Sequence, residues 1–248
     1  MQKVLLVTGG GRGIGAATAR LAAHQGWAVA VNYTANSLAA DEVVREIRAD
    51  GGQAMSVRAD VADEAQVMTM FERIDAKFGR LTGLVNNAGV VDVSARLDQM
   101  DMARWRRMFD INVLGSFLCA REAVRRMSTR HGGEGGAIVN VSSAAARLGS
   151  PREYVDYAAA KAAIDAFTIG LAKEVGGEGI RVNAVRPGLI ETDIHASGGL
   201  PDRVRDLQHQ VPMGRGGRAD EVAQAIVWLL SDAASYTTMA LLDVSGGR

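Results

Sequence analysis

The chain has 248 residues, 48% of them apolar, enough for one sizeable α/β core or two small ones and well outside a disordered composition. Lys plus Arg and Asp plus Glu are equal at 28 each, so there is no net field to draw nucleic acid or an anionic membrane surface. The single cysteine, Cys119, excludes an intrachain disulfide, and no run approaches the roughly 20 apolar residues of a membrane span. The first apolar run, Val4-Leu5-Leu6-Val7, is too short for a secretory signal, and a cytoplasmic protein is expected.

Short β-branched runs alternate with longer amphipathic or apolar segments from end to end. In chain order, strands are expected over residues 3–8, 28–33, 54–58, 83–86, 137–141, 181–185 and 241–244. Most are continuously apolar, which predicts strands covered on both faces, as in a parallel sheet. Helices are expected over residues 14–25, 38–49, 64–78, 102–127, 155–175 and 221–230. Ser37 and Asp63 read as helix start signals, and Gly26, Gly51 and Gly79 as stops. Residues 131–136 read as a glycine-rich surface loop. A polar, Pro-containing stretch running from Ser197 to Gly217 interrupts the rhythm as a mobile lid would. The expectation is one α/β domain over residues 1–248, a doubly wound parallel sheet (a Rossmann fold of about seven strands with helices on both faces) carrying a substrate lid at about 190–217.

At the first strand-to-helix turn stands Thr8-Gly9-Gly10-Gly11-Arg12-Gly13-Ile14-Gly15. Glycines there permit a tight turn and let backbone N–H groups approach a pyrophosphate at the helix N-terminus. The spacing of Gly9, Gly13 and Gly15 differs from G-x-G-x-x-G, so its weight comes from its position in a βαβ unit. The second strand ends Val31-Asn32-Tyr33-Thr34, without the carboxylate that would hold an NAD ribose and repel a 2′-phosphate. With Asn32 neutral and Arg12 in the loop to meet a phosphate, NADP(H) is favoured over NAD(H).

Further on, Tyr157-Ala158-Ala159-Ala160-Lys161 puts a phenol and an ammonium four apart on one helical face. A free Tyr titrates near about 10, and a neighbouring Lys⁺ is expected to lower it. A drop of about 3 units corresponds to about 4 kcal/mol. The fifth strand ends in Ser142-Ser143 at the carboxyl edge of the sheet, where a hydroxyl can orient a substrate oxygen.

Residues 8–15, Asn86-Asn87-Ala88-Gly89, Asn112, Ser143, Tyr157 with Lys161, and Pro187-Gly188 occur in the order of the short-chain dehydrogenases/reductases. Over essentially its whole length the chain resembles that family, in the bacterial subgroup of glucose 1-dehydrogenase-like and 3-oxoacyl-carrier-protein-reductase-like enzymes. The resemblance implies Tyr157 as general acid/base and Lys161 as the group that lowers its pKa and holds the nicotinamide ribose. It implies Ser143 as the carbonyl-orienting residue and Asn112 as support for a water-mediated proton relay. Gly9, Arg12, Gly13, Ile14, Gly15, Asn32, Tyr33 and Thr34 would take the phosphates and the 2′ position. Asn87, Ala88 and Gly89 would line the adenosine-side ribose region, Asp60 and Val61 would flank the adenine, and Pro187, Gly188, Ile190 and Thr192 would cradle the nicotinamide. It also implies a homo-oligomer, tetramer or dimer, with the two longest apolar helices at its faces.

Three features depart from the family pattern. The interval from Ser143 to Tyr157 is one residue long, with the extra residue expected within residues 147–156 and Ser142 as the alternative hydroxyl. Met239 stands where Gly is expected, in a turn calling for φ > 0. Thr34 stands where some relatives carry Arg.

Other residues read as structural. His24, His131, His195 and His209 show no metal-ligand spacing, and no metal is expected. His195, at the start of the presumed lid, reads as solvent-exposed. Met68, Met70, Met100, Met102 and Met108 read as packing residues, and Cys119 as a buried small hydrophobe. Residues 104–107, three arginines around Trp105, read as a solvated face. The expected function is hydride transfer between a nicotinamide ring and a small-molecule alcohol/carbonyl pair. The alternatives are an NAD-dependent enzyme of the same family, a dinucleotide-sensing module without chemistry, or an additional structural role in an assembly. A sugar, a 3-oxoacyl thioester, a steroid and a simple ketone all stay open as substrates.

Overall fold

A computed structural model describes residues 2–248, with the side chain of His195, and so its expected exposure, outside the described residues. Seven strands, β1 (Lys3–Val7), β2 (Trp27–Tyr33), β3 (Gln53–Arg58), β4 (Gly83–Asn86), β5 (Gly136–Val141), β6 (Ile180–Pro187) and β7 (Leu241–Val244), form one sheet in the order β3-β2-β1-β4-β5-β6-β7. Every neighbouring pair is parallel. The continuous apolar character of the strands has the cause expected of it. In β1, Leu5 and Val7 enter one buried cluster while Val4 and Leu6 enter another on the opposite face.

The first cluster is closed by α1 (Gly13–His24), α2 (Ser37–Ala49) and, from the far end of the chain, α10 (Ala219–Leu230), through Ala19, Val43 and Ile226 among others. The second is closed by α3 (Glu64–Phe78), α5 (Gly115–Met127) and α7 (Val155–Val175), through Phe71, Ala123 and Ala172. Three short helices, α6 (Ala145–Leu148), α8 (Ile194–Ser197) and α9 (Arg203–Leu207), lie in the connections at the carboxyl edge of the sheet.

Three local expectations are corrected. The helix expected over 102–127 is two helices, α4 (Met102–Phe109) and α5, joined by a π-helical turn at Asp110–Leu114. A widened turn frees backbone and side-chain groups that a continuous α-helix would consume, and this one carries Asn112. The cap of α2 is Asn36, whose side chain accepts the Ala39 N–H at 3.1 Å, and Ser37 is already inside the helix. Arg104 is not on a solvated face. Its guanidinium is forked onto the buried Asp156 at 2.7 and 3.2 Å and also donates to the Val93 carbonyl, tying α4 to the first turn of α7.

The turn at Met239 has the positive φ expected of it, and two further non-glycine residues share that conformation. Met239 has φ +64°, and Ser150 and Arg152, in the loop between α6 and α7, have φ +43° and +65°. Left-handed conformations at non-glycine residues are locally strained and persist only where the surrounding structure holds them. Among the described residues no helix is long and apolar enough to cross a membrane, and no group of metal-ligating side chains is gathered.

Candidate active site

β1 and β4 are neighbours although two other strands separate them in the chain, so the connections leaving their carboxyl ends run to opposite faces and open a crevice between them. The glycine loop leaves β1 on one wall of that crevice. Its shape is held by two buried or half-buried amides. Asn32 accepts the Gly9 N–H at 3.1 Å through Oδ1 and donates from Nδ2 to the Ala59 carbonyl at 3.0 Å. Asn87 donates from Nδ2 to the Thr8 and Gly9 carbonyls at 2.8 and 3.0 Å, and the Thr8 hydroxyl accepts the N–H groups of Asn87 and Ala88, both at 2.9 Å. A neutral amide at position 32 therefore does structural work that a carboxylate, with no donor, would not do.

The loop passes so close to these amides that a Cβ on Gly15 would lie 2.5 Å from Asn87 Nδ2 and 2.6 Å from the Gly9 carbonyl. Gly9 itself has φ +59°, which glycine adopts without strain. No side chain caps the N-terminus of α1. An uncapped helix end facing a bare-backbone loop is what a pyrophosphate requires. Thr192 reaches over the loop from beyond β6, its Cγ2 only 3.2 Å from where a Cβ of Gly13 would sit.

The other wall is built by β5, α7 and the π turn. Lys161 is buried and donates from Nζ to the Val141 carbonyl at 2.7 Å. Its contact with Tyr157 is across the ring, 5.6 Å from Nζ to the centroid. Ser143 lies close enough to the Tyr157 phenol to hold its pKa down, and its hydroxyl accepts the Ala145 N–H at 3.1 Å, whereas the Ser142 hydroxyl is buried and donates to the Lys161 carbonyl at 3.1 Å. Of the two serines, Ser143 is thus the one that meets the phenol. Asn112 is buried behind the wall. Its Oδ1 accepts the Val90 N–H at 3.1 Å, and its Nδ2 donates to the Val90 and Met108 carbonyls at 3.0 and 2.9 Å. Gly89 lets these groups converge, since a Cβ there would be 2.7 Å from Asn112 Oδ1 and 3.5 Å from Lys161 Nζ.

The electrostatics differ from the sequence expectation. Burial pushes the Tyr157 phenol up to about 12, and the hydrogen bond from Ser143 offsets only part of it. Burial also pushes the Lys161 ammonium down to about 8, opposed by the charge of Asp165. The lysine does not make the tyrosine acidic here, because its Nζ is turned to a carbonyl and desolvation dominates both groups.

These walls enclose one cavity of about 1140 Å³, above the roughly 300–1,000 Å³ of ordinary small-molecule sites and so roomy enough for a dinucleotide with a second molecule beside it. Of the residues singled out from the sequence, Gly9, Arg12, Gly13, Ile14, Asn32, Tyr33, Thr34, Asp60, Val61, Asn87, Ala88, Gly89, Ser143, Tyr157, Lys161, Pro187, Gly188, Ile190 and Thr192 line it. Gly15 and Asn112 do not and act from behind. The open loop, the uncapped helix and the cavity size fit a nicotinamide dinucleotide.

A family model described as enoyl-(acyl carrier protein) reductase matches residues 9–248. The chain is 56% identical over 245 residues to the uncharacterized oxidoreductase YgfF of Escherichia coli (strain K12), covering 99% of each. It is 44% identical over 247 residues to cis-4-hydroxycyclohexanecarboxylate dehydrogenase of Sinomonas cyclohexanicum, covering 99% of this chain and 96% of the relative. A crystal structure of a short-chain type dehydrogenase/reductase from Mycobacterium marinum superimposes with a TM-score of 0.93 at 34% identity, covering 99% and 94% of the two chains. The chain belongs to the short-chain dehydrogenase/reductase family. As a short-chain dehydrogenase/reductase it is an oxidoreductase of a family that uses nicotinamide cofactors.

The cavity also takes in residues that the sequence reading passed over: Tyr154 and Glu153 before α7, Arg203 on α9, and Arg248. No motif or spacing marks them, because they come from three separate stretches that meet only in the fold. Cys119, by contrast, is buried with its thiol pushed up to about 12, an inert packing residue as expected.

Proposed function

We propose that the protein is an NADP(H)-preferring oxidoreductase that transfers a hydride between nicotinamide and an alcohol/carbonyl substrate, with Tyr157 as general acid/base. The observation that carries this reading is the sharing of one cavity by the glycine loop at one end and by Ser143, Tyr157 and Lys161 at the other. When bound, the dinucleotide supplies or accepts the hydride. In reduction Tyr157 gives its phenolic proton to the carbonyl oxygen, which Ser143 orients. In oxidation the phenolate takes the alcohol proton. A phenol raised by burial keeps its proton through neutral pH, which supports the acid role there. Lys161 holds the ribose beside Gly89, and Asn112, by fixing Val90 and the π turn, supports the proton path that ends at Lys161.

NADP(H) preference is supported at the end of β2, where Tyr33 and Thr34 bring no carboxylate to the cavity. Arg12 is exposed on the cavity rim with no side-chain partner among the described residues, a cation free for a 2′-phosphate. The segment 190–217, which supplies Ile190, Thr192, Ile194, Arg203 and Leu207 to the cavity, is read as the substrate lid. A homo-oligomer is supported by the outward faces of α5 and α7, where Phe117, 43% exposed, stacks on Phe167 with ring centroids 3.8 Å apart.

The test is a paired screen of NADPH and NADH against aldehydes, ketones and 3-oxoacyl thioesters, followed by loss of the reduced nicotinamide absorbance. NADPH is expected to be the better donor. Tyr157→Phe is expected to lower kcat by about 10²–10⁴-fold while NADPH affinity stays within a few fold. Full turnover in that variant would refute the acid/base assignment, and a preference for NADH would refute the reading of Arg12.

A further inference from the structure

Tyr157 sits in the first turn of α7, where the helix by itself gives it little support. Among the described residues no side chain caps this turn, whose N-cap is Tyr154. The loop that leads into it passes through left-handed conformations at Ser150 and Arg152, so the turn is not fixed from its own stretch of chain. The tie comes from α4. Asp156, next to Tyr157, has a side chain only 2% exposed, and Arg104 forks onto both of its oxygens, Nε to Oδ2 at 2.7 Å and Nη2 to Oδ1 at 3.2 Å. The remaining arm of the guanidinium, Nη1, donates to the Val93 carbonyl at 2.6 Å. Arg107, one turn further along α4, donates to Asp92 Oδ2 at 3.0 Å, and the other oxygen of Asp92 accepts the Val93 N–H at 2.8 Å. From the same loop the Ala95 N–H donates to the Glu153 carbonyl at 3.0 Å and the Ser94 hydroxyl to the Arg152 carbonyl at 3.4 Å. One guanidinium thus joins the loop after β4, which brings Val90 and Val91 to the cavity, to the turn that carries the phenol.

We propose that Arg104, acting through Asp156, is a positioning residue for the reaction: it holds the first turn of α7 so that the Tyr157 phenol stays in reach of the reacting oxygen. The inference rests on the acid/base reading of Tyr157 and adds the group that fixes its place. Neither Arg104 nor Asp156 lines the cavity, so the pair acts without touching substrate or cofactor. The first four N–H groups of a helix lack intrahelical acceptors, and a first turn frays unless something outside the helix holds it. A desolvated carboxylate in a two-point fork is such a hold, because parting the pair leaves a buried charge without its counter-ion. Lysine would supply the charge but neither the fork nor the third arm on Val93. Proton transfer needs the phenol at hydrogen-bond distance from the substrate oxygen, so a displacement of about 1 Å costs up to about 10²-fold in rate. The glycine loop, on the other wall, is untouched by it.

The wild type, Arg104→Gln, Arg104→Lys and Tyr157→Phe are assayed with NADPH on cyclohexanone, ethyl 3-oxobutanoate and 3-oxobutanoyl-N-acetylcysteamine, and the first three are compared by amide hydrogen exchange. Arg104→Gln is expected to lower kcat by about 10–10²-fold while KM for NADPH stays within about threefold. Arg104→Lys is expected to fall between it and the wild type. The Ala158 N–H closes the first turn onto the Tyr154 carbonyl at 2.9 Å. In Arg104→Gln it is expected to exchange about tenfold faster or more, with Thr168 and Ala172 further along α7 unchanged. A purely structural role would speed exchange along the whole helix and lower kcat only by the folded fraction lost, and that pattern would overturn the proposal. So would a wild-type kcat in Arg104→Gln. If Arg104→Gln does not fold, Arg104→Lys, which keeps the counter-charge of Asp156, carries the same comparison, and a wild-type kcat with wild-type Ala158 exchange there would overturn the proposal. Full turnover in Tyr157→Phe, or no turnover of any of the three carbonyls by the wild type, would overturn the acid/base reading and this inference with it. An inactive Tyr157→Phe beside an unimpaired Arg104→Gln would overturn this inference alone.

Discussion

Replacing Lys161 with Met isolates the energetic cost of keeping a charge in the active-site wall. In the folded chain the ammonium titrates near about 8, against an ordinary value of 10.5. Between those two values the unfolded chain binds the extra proton, so the contribution of Lys161 makes stability rise with pH through that window. With 1.36 kcal/mol for each pH unit between the two, the full rise is about 3 kcal/mol, of which about 2 kcal/mol falls between pH 7 and pH 9.5. The methionine variant lacks this rise. Its loss of the hydrogen bond to the Val141 carbonyl, about 1 kcal/mol, is a nearly constant offset. The raised phenol of Tyr157 acts in the opposite sense and only above pH 10, and it is present in both proteins. The assay is urea unfolding of the cofactor-free protein and of Lys161→Met at pH 7 and pH 9.5. The wild type is expected to gain about 2 kcal/mol on the variant between the two. A difference that does not change with pH would show that the lysine is not desolvated as argued. The same substitution is expected to abolish turnover, so a residue needed for chemistry is one that weakens the fold near neutral pH.

For the Tyr157 phenol the sign is fixed by its raised value: alcohol oxidation, which needs the phenolate, is expected to speed up from pH 7 to 9, while carbonyl reduction holds steady or slows. Initial rates in both directions across that range check it, and an oxidation rate that falls with pH contradicts it. Asn32→Ala strands the Gly9 N–H and takes one of two donors from the Ala59 carbonyl, which keeps the Thr34 hydroxyl, and is expected to cost about 1–3 kcal/mol in urea unfolding together with a weaker NADPH affinity by fluorescence titration. An unaffected affinity would mean that the glycine loop holds its shape without this pin. Met239→Gly relieves a φ of +64° and is expected to stabilise by about 1 kcal/mol. That corresponds to a Tm higher by about 2–4 °C, and a lower Tm would show that the methionine side chain contributes more than its backbone costs.

The architecture was legible in one dimension because its signals are local. Runs such as Val4-Leu5-Leu6-Val7 have no polar alternation, and only a strand buried on both faces tolerates that, so a parallel sheet with helices on each side followed directly. The glycine loop and the Tyr157/Lys161 pair were legible for the same reason, since a turn and a helical period are properties of adjacent residues. What the tertiary structure alone decided is everything that depends on groups distant in the chain or on the solvent they exclude. The direction in which Tyr157 shifts is set by desolvation, and no spacing encodes how much water a wall removes. That the Ser142 hydroxyl is spent on the Lys161 carbonyl, 19 residues on, is set by how β5 meets α7 and not by any local spacing. Arg104 reads as a surface charge until Asp156, 52 residues later, comes to meet it. Arg203 and Arg248 share no motif with Tyr157, yet the fold sets all three around one space, because a closed cavity is assembled from the ends of separate strands and not from a stretch of chain.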